Sequence, residues 1–194
     1  VVRRQRQMCI RDSASSVQPP FANELHLDYN DCLNAISAQQ GKALIESVKN
    51  KYNIRVGVNS FGGLARNEQT LSELHEAGIW DALDFVVFTT SRQQRSGSST
   101  QGSWGSVRYS GGKDGYLMGV ESPILMVDDK EATLTAIRNA RRSQGLATET
   151  ICARLGKKRL WKATEDHIVC RSYSELCAEI DKWARHSALG PSGE

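Results

Sequence analysis

Hydrophobic residues along this chain follow two alternating spacings, which predict strands and helices in turn. Short apolar runs predict strands at 25–28, 54–58, 84–90, 124–127, 148–153 and 167–170. Apolar residues three or four positions apart predict helices at 38–51, 64–77, 130–143 and 174–186. Ser37 is placed to cap the first helix, while Gly78 and Gly145 follow the second and third. Strands that alternate with helices through short links indicate right-handed βαβ units and a mainly parallel sheet.

These units predict one α/β domain at 23–188, with a Rossmann-like, mainly parallel sheet and helices on both faces. Residues 1–22 form a predicted disordered or artefactual tail and linker, and 189–194 a flexible tail. Residues 4–13 read RQRQMCIRDS and resemble a translated sequencing-adaptor remnant, which implies that part of the natural N-terminus is lost. Residues 91–119 are rich in Gly and Ser, show no clear period and are predicted to form a long loop.

Composition mainly excludes classes of protein. The chain has 194 residues, of which 39% are hydrophobic and 24% charged, as in an ordinary globular domain. The net charge of +3 is spread along the sequence, which does not favour binding to nucleic acid. Five cysteines without a C-x-x-C pair favour reduced thiols in a cytoplasmic protein. No apolar run approaches the roughly 18 residues that a membrane span needs, so no membrane partner is expected.

Polar residues stand at the carboxyl ends of the predicted strands, where ligands of parallel sheets bind. The most informative of them are Asp128 and Asp129, which follow the apolar run ILMV. Adjacent carboxylates at the end of a buried strand repel each other, and a divalent cation such as Mg²⁺ removes that cost. The alternative is that Asp129 caps the helix that begins at Lys130.

Two known families have a strand that ends in such an acidic pair. Receiver domains of response regulators open with a similar sequence, but they need a phosphoacceptor Asp after a later strand. Here the next well-marked strand ends in Cys170, near the end of the sequence. The haloacid dehalogenase-like superfamily has a late acidic motif that resembles ILMVDDKEATLTAIRNARRSQG. Its second motif and closing elements are similar to IRVGVNSFGG and HIVCRSYSELCAEIDKW, so the likeness covers about residues 42–186 in the right order.

The resemblance implies a Mg²⁺-dependent phosphohydrolase, without an intact cap, that acts on a small phosphorylated metabolite. Asp28 would attack phosphorus and form an aspartyl-phosphate. It would also bind Mg²⁺ together with Asp128 and Asp129.

The remaining roles of that family are assigned by position. Ser60 would hold a phosphate oxygen, and Asn59 and Gly62 are further phosphate-binding candidates. Lys113 would balance the charge of phosphate and carboxylates, with Arg92 and Arg108 as rivals for that role.

The sequence departs from the family at one chemically important position. The family places an acid–base Asp two residues after its nucleophile, and here that residue is Asn30. An amide cannot shuttle a proton. A second hypothesis is therefore a truncated or degenerate domain of this kind that binds a phosphate ligand or a protein without turnover. A further alternative is that the true nucleophile motif was lost with the natural N-terminus, and in that case Asp28 lies on an ordinary surface turn.

Overall fold

A computed structural model of the chain describes residues 23–30, 32–89, 107–110, 117, 120–155 and 166–188. The two predicted tails, Lys113, Arg92 and most of segment 91–119 lie outside these residues. Within them, seven strands form one parallel sheet and four helices flank it. The elements in chain order are β1 (Glu24–Leu27), α1 (Ala38–Tyr52), β2 (Arg55–Phe61), α2 (Leu64–Glu76), β3 (Phe85–Thr89), β4 (Val107–Ser110), β5 (Ile124–Asp128), α3 (Glu131–Arg142), β6 (Thr148–Ala153), β7 (Ile168–Cys170) and α4 (Tyr173–Ala188).

The sheet has a single reversal of strand order. Its order is β4-β3-β2-β1-β5-β6-β7, and every neighbouring pair is parallel. Strands β1 to β4 proceed outward in one direction, and β5 to β7 in the other. The reversal falls between β1 and β5. In open α/β sheets, this is the point at which a crevice forms outside the carboxyl ends of the strands.

Helices cover both faces of the sheet, which confirms the predicted fold class. The first face packs against α1, α2 and α4, and its core includes Ile45, Leu74 and Ile180. The second face packs against α3, through Leu134 and Ile137. The core on the first face is the larger of the two, so most of the apolar burial that stabilises the domain lies away from α3.

The predicted ends of the helices are confirmed by their caps. Ser37 and Gln40 form a reciprocal capping box at the start of α1, with distances of 3.1 and 3.0 Å. Gly78 and Gly145 follow α2 and α3 with φ of 65° and 71°, a conformation that favours glycine. None of the helices in the described ranges is long and apolar enough to cross a membrane.

Segment 91–119 differs from its prediction as a loop, since Val107–Ser110 form β4 at the edge of the sheet. These four residues pair with β3. Four residues are too few to show a clear period among glycines and serines. Their strand conformation is set by hydrogen bonding to β3, a partner distant in sequence, which a local pattern does not contain.

At the amino ends of the strands, the buried guanidinium of Arg141 joins α3 to the chain on either side of β5. It donates to the hydroxyl of Thr148 at 2.7 Å and to the carbonyl of Ser122 at 2.8 Å. Further acceptors are the carbonyls of Leu117, Val120 and Ala147. Burial lowers the pKa of Arg141, while the charge of Glu24 opposes this effect. One side chain thus satisfies several buried backbone carbonyls.

Replacing Arg141 by Met should destabilise the domain by about 3 kcal/mol or more, because buried carbonyls lose their donors. Urea unfolding followed by circular dichroism measures the change. Arg142→Met is the matched control, since Arg142 is exposed, and it should change stability by about 0.5 kcal/mol or less. Equal stability of the two variants would show that the guanidinium is not a structural anchor.

Two buried histidines are held in their neutral form. The ring nitrogens of His167 lie 2.9 Å from the hydroxyl of Thr135 and 2.7 Å from that of Thr150, so they join α3 to β6. Burial lowers the pKa of His167, and Arg138 lowers it further. Burial also lowers the pKa of fully buried His26, against the raising effect of Glu24 at 3.0 Å.

These shifts make stability depend on pH in one direction. Because both pKa values lie below the ordinary 6.5, the histidine contribution is complete above about pH 6.5. It is lost as the pH falls through the folded-state values. Urea unfolding at several pH values from about 7.5 to 5 should show this loss. His167→Gln should reduce the pH dependence, whereas the exposed His186→Gln should keep it. A free energy of unfolding that is constant over this range would contradict the expectation.

Candidate functional site

Three polar side chains stand level at the carboxyl ends of adjacent strands. Strand β1 pairs in register with both β2 and β5, and the N–H of Asp28 donates to the carbonyl of Val127 at 2.9 Å. One residue beyond Leu27, this register places Asp28 between Asn59 and Asp128. Neighbouring strands lie about 4.8 Å apart, so the three side chains form a continuous row, called here the Asn59–Asp28–Asp128 row.

Strand alternation directs all three side chains to the second face of the sheet, the face covered by α3. Asn59 is 0% exposed, Asp28 4% and Asp128 1%. Two carboxylates therefore lie side by side in a buried position, at the reversal of strand order. The hypothesis that Asp28 sits on an ordinary surface turn does not agree with this burial.

A cleft of about 460 Å³ opens at the row, and its lining has two characters. The polar part consists of Asp28, Asn30, Asp128, Asp129 and Lys130. The other part comes from α3 and the end of β2, and it contains Phe61, Ala132, Thr133, Ala136 and Ile137. Such a cleft can hold a charged group at the strand ends and an apolar group along α3.

The electrostatic potential beside the row is negative. Cys152 pairs in register with Asp128 on the neighbouring strand. Burial raises the pKa of Cys152 to about 11, and the charges of Asp129 and Asp128 add to the increase. A cation is therefore favoured at this end of the sheet.

The described aspartates could supply a magnesium ion with at most two protein ligands. Among the described residues, no group of three or more His, Cys, Asp or Glu side chains is arranged to hold a metal ion. A cation at the row would therefore take at most two of the aspartates, with other oxygens completing its shell. Mg²⁺ commonly binds in this way, through one or two carboxylates with water and substrate phosphates.

Asp129 does not cap α3, so that alternative is wrong. Helix α3 begins at Glu131 after the N-cap residue Lys130, whose side chain makes no capping hydrogen bond. The N–H of Lys130 instead donates to Oδ1 of Asp128 at 2.9 Å. Asp129 is 6% exposed and lines the cleft, so it remains a candidate for the cation site.

The phosphate-binding candidates Asn59 and Ser60, which the sequence placed in a turn, lie within strand β2 and face opposite sides of the sheet. The strand extends to Phe61, three residues beyond the predicted strand. Successive residues of a strand face opposite sides, so Asn59 shares the face of Asp28. Ser60 lies on the first face, paired in register with Phe88. Gly62 follows the strand, and its carbonyl accepts from Asn67 at 3.3 Å.

Arg66 is a residue near the site that the sequence reasoning missed. Its guanidinium donates twice to Oδ1 of Asn30, at 2.8 and 3.1 Å. Nδ2 of Asn30 donates to the hydroxyl of Ser60 at 3.1 Å. Arg66 also pairs with Glu73 at 3.3 Å. An Arg in the first turn of a helix that follows a strand-end glycine turn is the sequence signal that could have identified it.

The buried amide of Asn59 lacks contacts that its burial requires. Within the described residues, neither its nitrogen nor its oxygen has a hydrogen-bond partner. A buried polar group without a partner costs about 1–3 kcal/mol. Asn59 is fully buried and does not belong to the lining of the cleft, so its amide is not exposed to a ligand there.

Removing this amide should therefore stabilise the protein. We expect Asn59→Leu to raise the free energy of unfolding by about 1 kcal/mol, because the buried polar atoms disappear at similar side-chain volume. Urea unfolding measures the effect. The exposed Asn34→Leu is the control and should change stability by about 0.5 kcal/mol or less. A clear loss of stability in Asn59→Leu would show that the amide has a partner in the folded protein.

Comparison with known proteins finds no relative of this chain. No family model matches the chain, and neither a search of curated proteins nor a search of solved structures finds a match. The function of the cleft has therefore to be inferred from the chemistry of its own side chains.

Proposed function

We propose that the chain is a haloacid dehalogenase-like, Mg²⁺-dependent phosphohydrolase that acts on a small phosphorylated metabolite. The observation that carries this proposal is the Asn59–Asp28–Asp128 row at the reversal of strand order. It supplies a nucleophilic carboxylate, Asp28, and a second carboxylate, Asp128, on neighbouring strands. Phosphoryl transfer depends mainly on such positioning and on charge stabilisation.

Asp28 is the group that reacts. One of its oxygens attacks phosphorus while the bond from phosphorus to the leaving oxygen breaks, which gives an aspartyl-phosphate. Water then attacks phosphorus, and the carboxylate of Asp28 leaves again with its electron pair. The second step releases inorganic phosphate and a proton.

The surrounding groups hold the phosphate in place. The N-cap residue of α3 is Lys130, whose side chain makes no capping hydrogen bond. The N–H groups and the dipole at this helix end would stabilise an anion beside Lys130 and Thr133.

Asp28 and Asp128 are the side chains that would hold Mg²⁺, with Asp129 at the edge of the same cleft. When bound, this ion neutralises the carboxylates and the charge that builds up on the phosphoryl oxygens. Both aspartates are already brought together by the sheet, so little reorganisation is needed when the ion binds.

One observation favours a second candidate function, a domain that binds phosphate without turnover. Asn30 stands two residues after Asp28, and its amide is hydrogen-bonded to Arg66 and Ser60. A site without a proton donor can bind a phosphate and leave its ester intact. The two candidates differ in turnover and agree in ligand binding.

Turnover of p-nitrophenyl phosphate distinguishes them. We expect hydrolysis that requires Mg²⁺, and Asp28→Asn should lower kcat by at least about a thousandfold, since the nucleophile is removed. Asp128→Asn should weaken Mg²⁺ binding, which isothermal titration calorimetry measures without any turnover. The exposed Asp81→Asn is the control for both measurements and should behave as the wild type.

The outcomes separate the two functions. Binding of Mg²⁺ and phosphate without turnover would establish the binding domain. Turnover that survives Asp28→Asn would exclude Asp28 as the nucleophile. Acid-quenched protein should carry one phosphoryl group by mass spectrometry in the wild type, and none in Asp28→Asn.

A further inference from the structure

The side chains that could donate a proton in the cleft limit which leaving groups can depart from phosphorus. Among the described residues that line it, the titratable side chains are Asp28, Asp128, Asp129 and Lys130. In the proposed mechanism Asp28 attacks phosphorus, and Asp128 and Asp129 lie on the side of the cation, so none of these carboxylates is left to act as an acid. Lys130 is exposed, and an ammonium group is a much weaker acid than a carboxyl group.

Asn30 is a polar group of the cleft lining that cannot act as an acid. It lines the cleft two residues after Asp28. Its oxygen accepts from Arg66 and its nitrogen donates to Ser60, so the orientation of the amide is fixed. An amide can donate a hydrogen bond, but it cannot give up a proton near neutral pH.

The apolar part of the cleft indicates the shape of the leaving group. Ala132, Ala136 and Ile137 on α3 face this space. Phe61 lies at the end of β2, 51% exposed, and offers a ring for stacking. A flat or apolar body bound to the phosphate can rest against this wall while the phosphate lies over Asp28.

We infer that this site acts on acyl and aryl phosphates that have an apolar body. This inference rests on the proposed phosphohydrolase function and narrows its substrate class. Asp28 forms its bond to phosphorus, and the electron pair of the broken bond stays on the leaving oxygen. The product departs as a carboxylate or phenolate and needs no proton from the protein.

The basicity of the leaving oxygen explains the restriction. A carboxylic acid has a pKa of roughly 4 and a phenol roughly 10. An alcohol, like water, is a far weaker acid than either of these groups. An alkoxide therefore leaves slowly unless an acid protonates it, and such general acid catalysis contributes about 10²–10⁴-fold.

A matched series of substrates tests the inference. It contains benzoyl phosphate, phenyl phosphates with different ring substituents, and 2-phenylethyl phosphate, which combines the same ring with an alkoxide leaving group. At saturating Mg²⁺, we expect kcat/KM to fall steeply with the basicity of the leaving oxygen. From p-nitrophenyl to 2-phenylethyl phosphate, kcat/KM should fall by a larger factor than the rate of uncatalysed hydrolysis does. The two factors should differ by at least about 100-fold.

Asn30→Asp provides the complementary variant, because a carboxyl group can supply a proton and can still accept from Arg66. It should raise kcat/KM for 2-phenylethyl phosphate by at least about tenfold. It should also add a fall in rate at high pH, where the new acid is ionised. The exposed Asn50→Asp adds the same charge on α1 and should change neither property. If Asn30→Asp does not fold, the dependence of the wild-type kcat/KM on the basicity of the leaving oxygen tests the inference by itself.

Each outcome has one meaning. A steep wild-type dependence on the leaving group supports the inference. Equal kcat/KM for alkyl and aryl phosphates would overturn it and leave the phosphohydrolase function intact. No turnover of any member, with or without Mg²⁺, would overturn the proposed function and the inference together.

Discussion

The backbone pairing of β1 with β5 is the constraint on which the candidate site depends. Its hydrogen bonds hold Asp28 and Asp128 one strand spacing apart on the same face of the sheet. The carboxylates cannot separate without breaking a parallel ladder at the centre of the domain. Their mutual repulsion is therefore built into the fold, and a ligand of opposite charge would relieve it. A sheet that is stabilised mainly by its first face can sustain this local cost.

Much of the architecture could be predicted from local patterns in the sequence. The 3.6-residue period located the four helices, and Ser37, Gly78 and Gly145 marked their ends because caps are local interactions. Strand β4 was missed because its conformation depends on pairing with β3. The acidic strand end at Asp128 was recognised since charge in an apolar context is visible in the sequence. Its partners on other strands required knowledge of the register.

The details of the site depended on relations that span the chain. The sequence favoured Ser60 over Asn59, yet the length of β2 decides which of them shares a face with Asp28. Arg66 became relevant only when α2 was placed beside the turn that contains Asn30. The same contacts show that Asn30 is well accommodated as an amide, since it accepts from one neighbour and donates to another. A carboxylate at this position could only accept.

The attachment of α3 has a consequence for motion at the mouth of the cleft. Arg141 fixes the last turn of this helix to several backbone carbonyls, and His167 holds its second turn through Thr135. The first turn is held by the ion pair of the buried Arg154 with Glu131, whose side chain is 30% exposed. Small tilting movements of the helix should therefore pivot near its C-terminal end and widen or narrow the entrance. Amide hydrogen exchange should then be faster in the first turn of α3 than in the last, while the strands that carry the aspartates stay rigid.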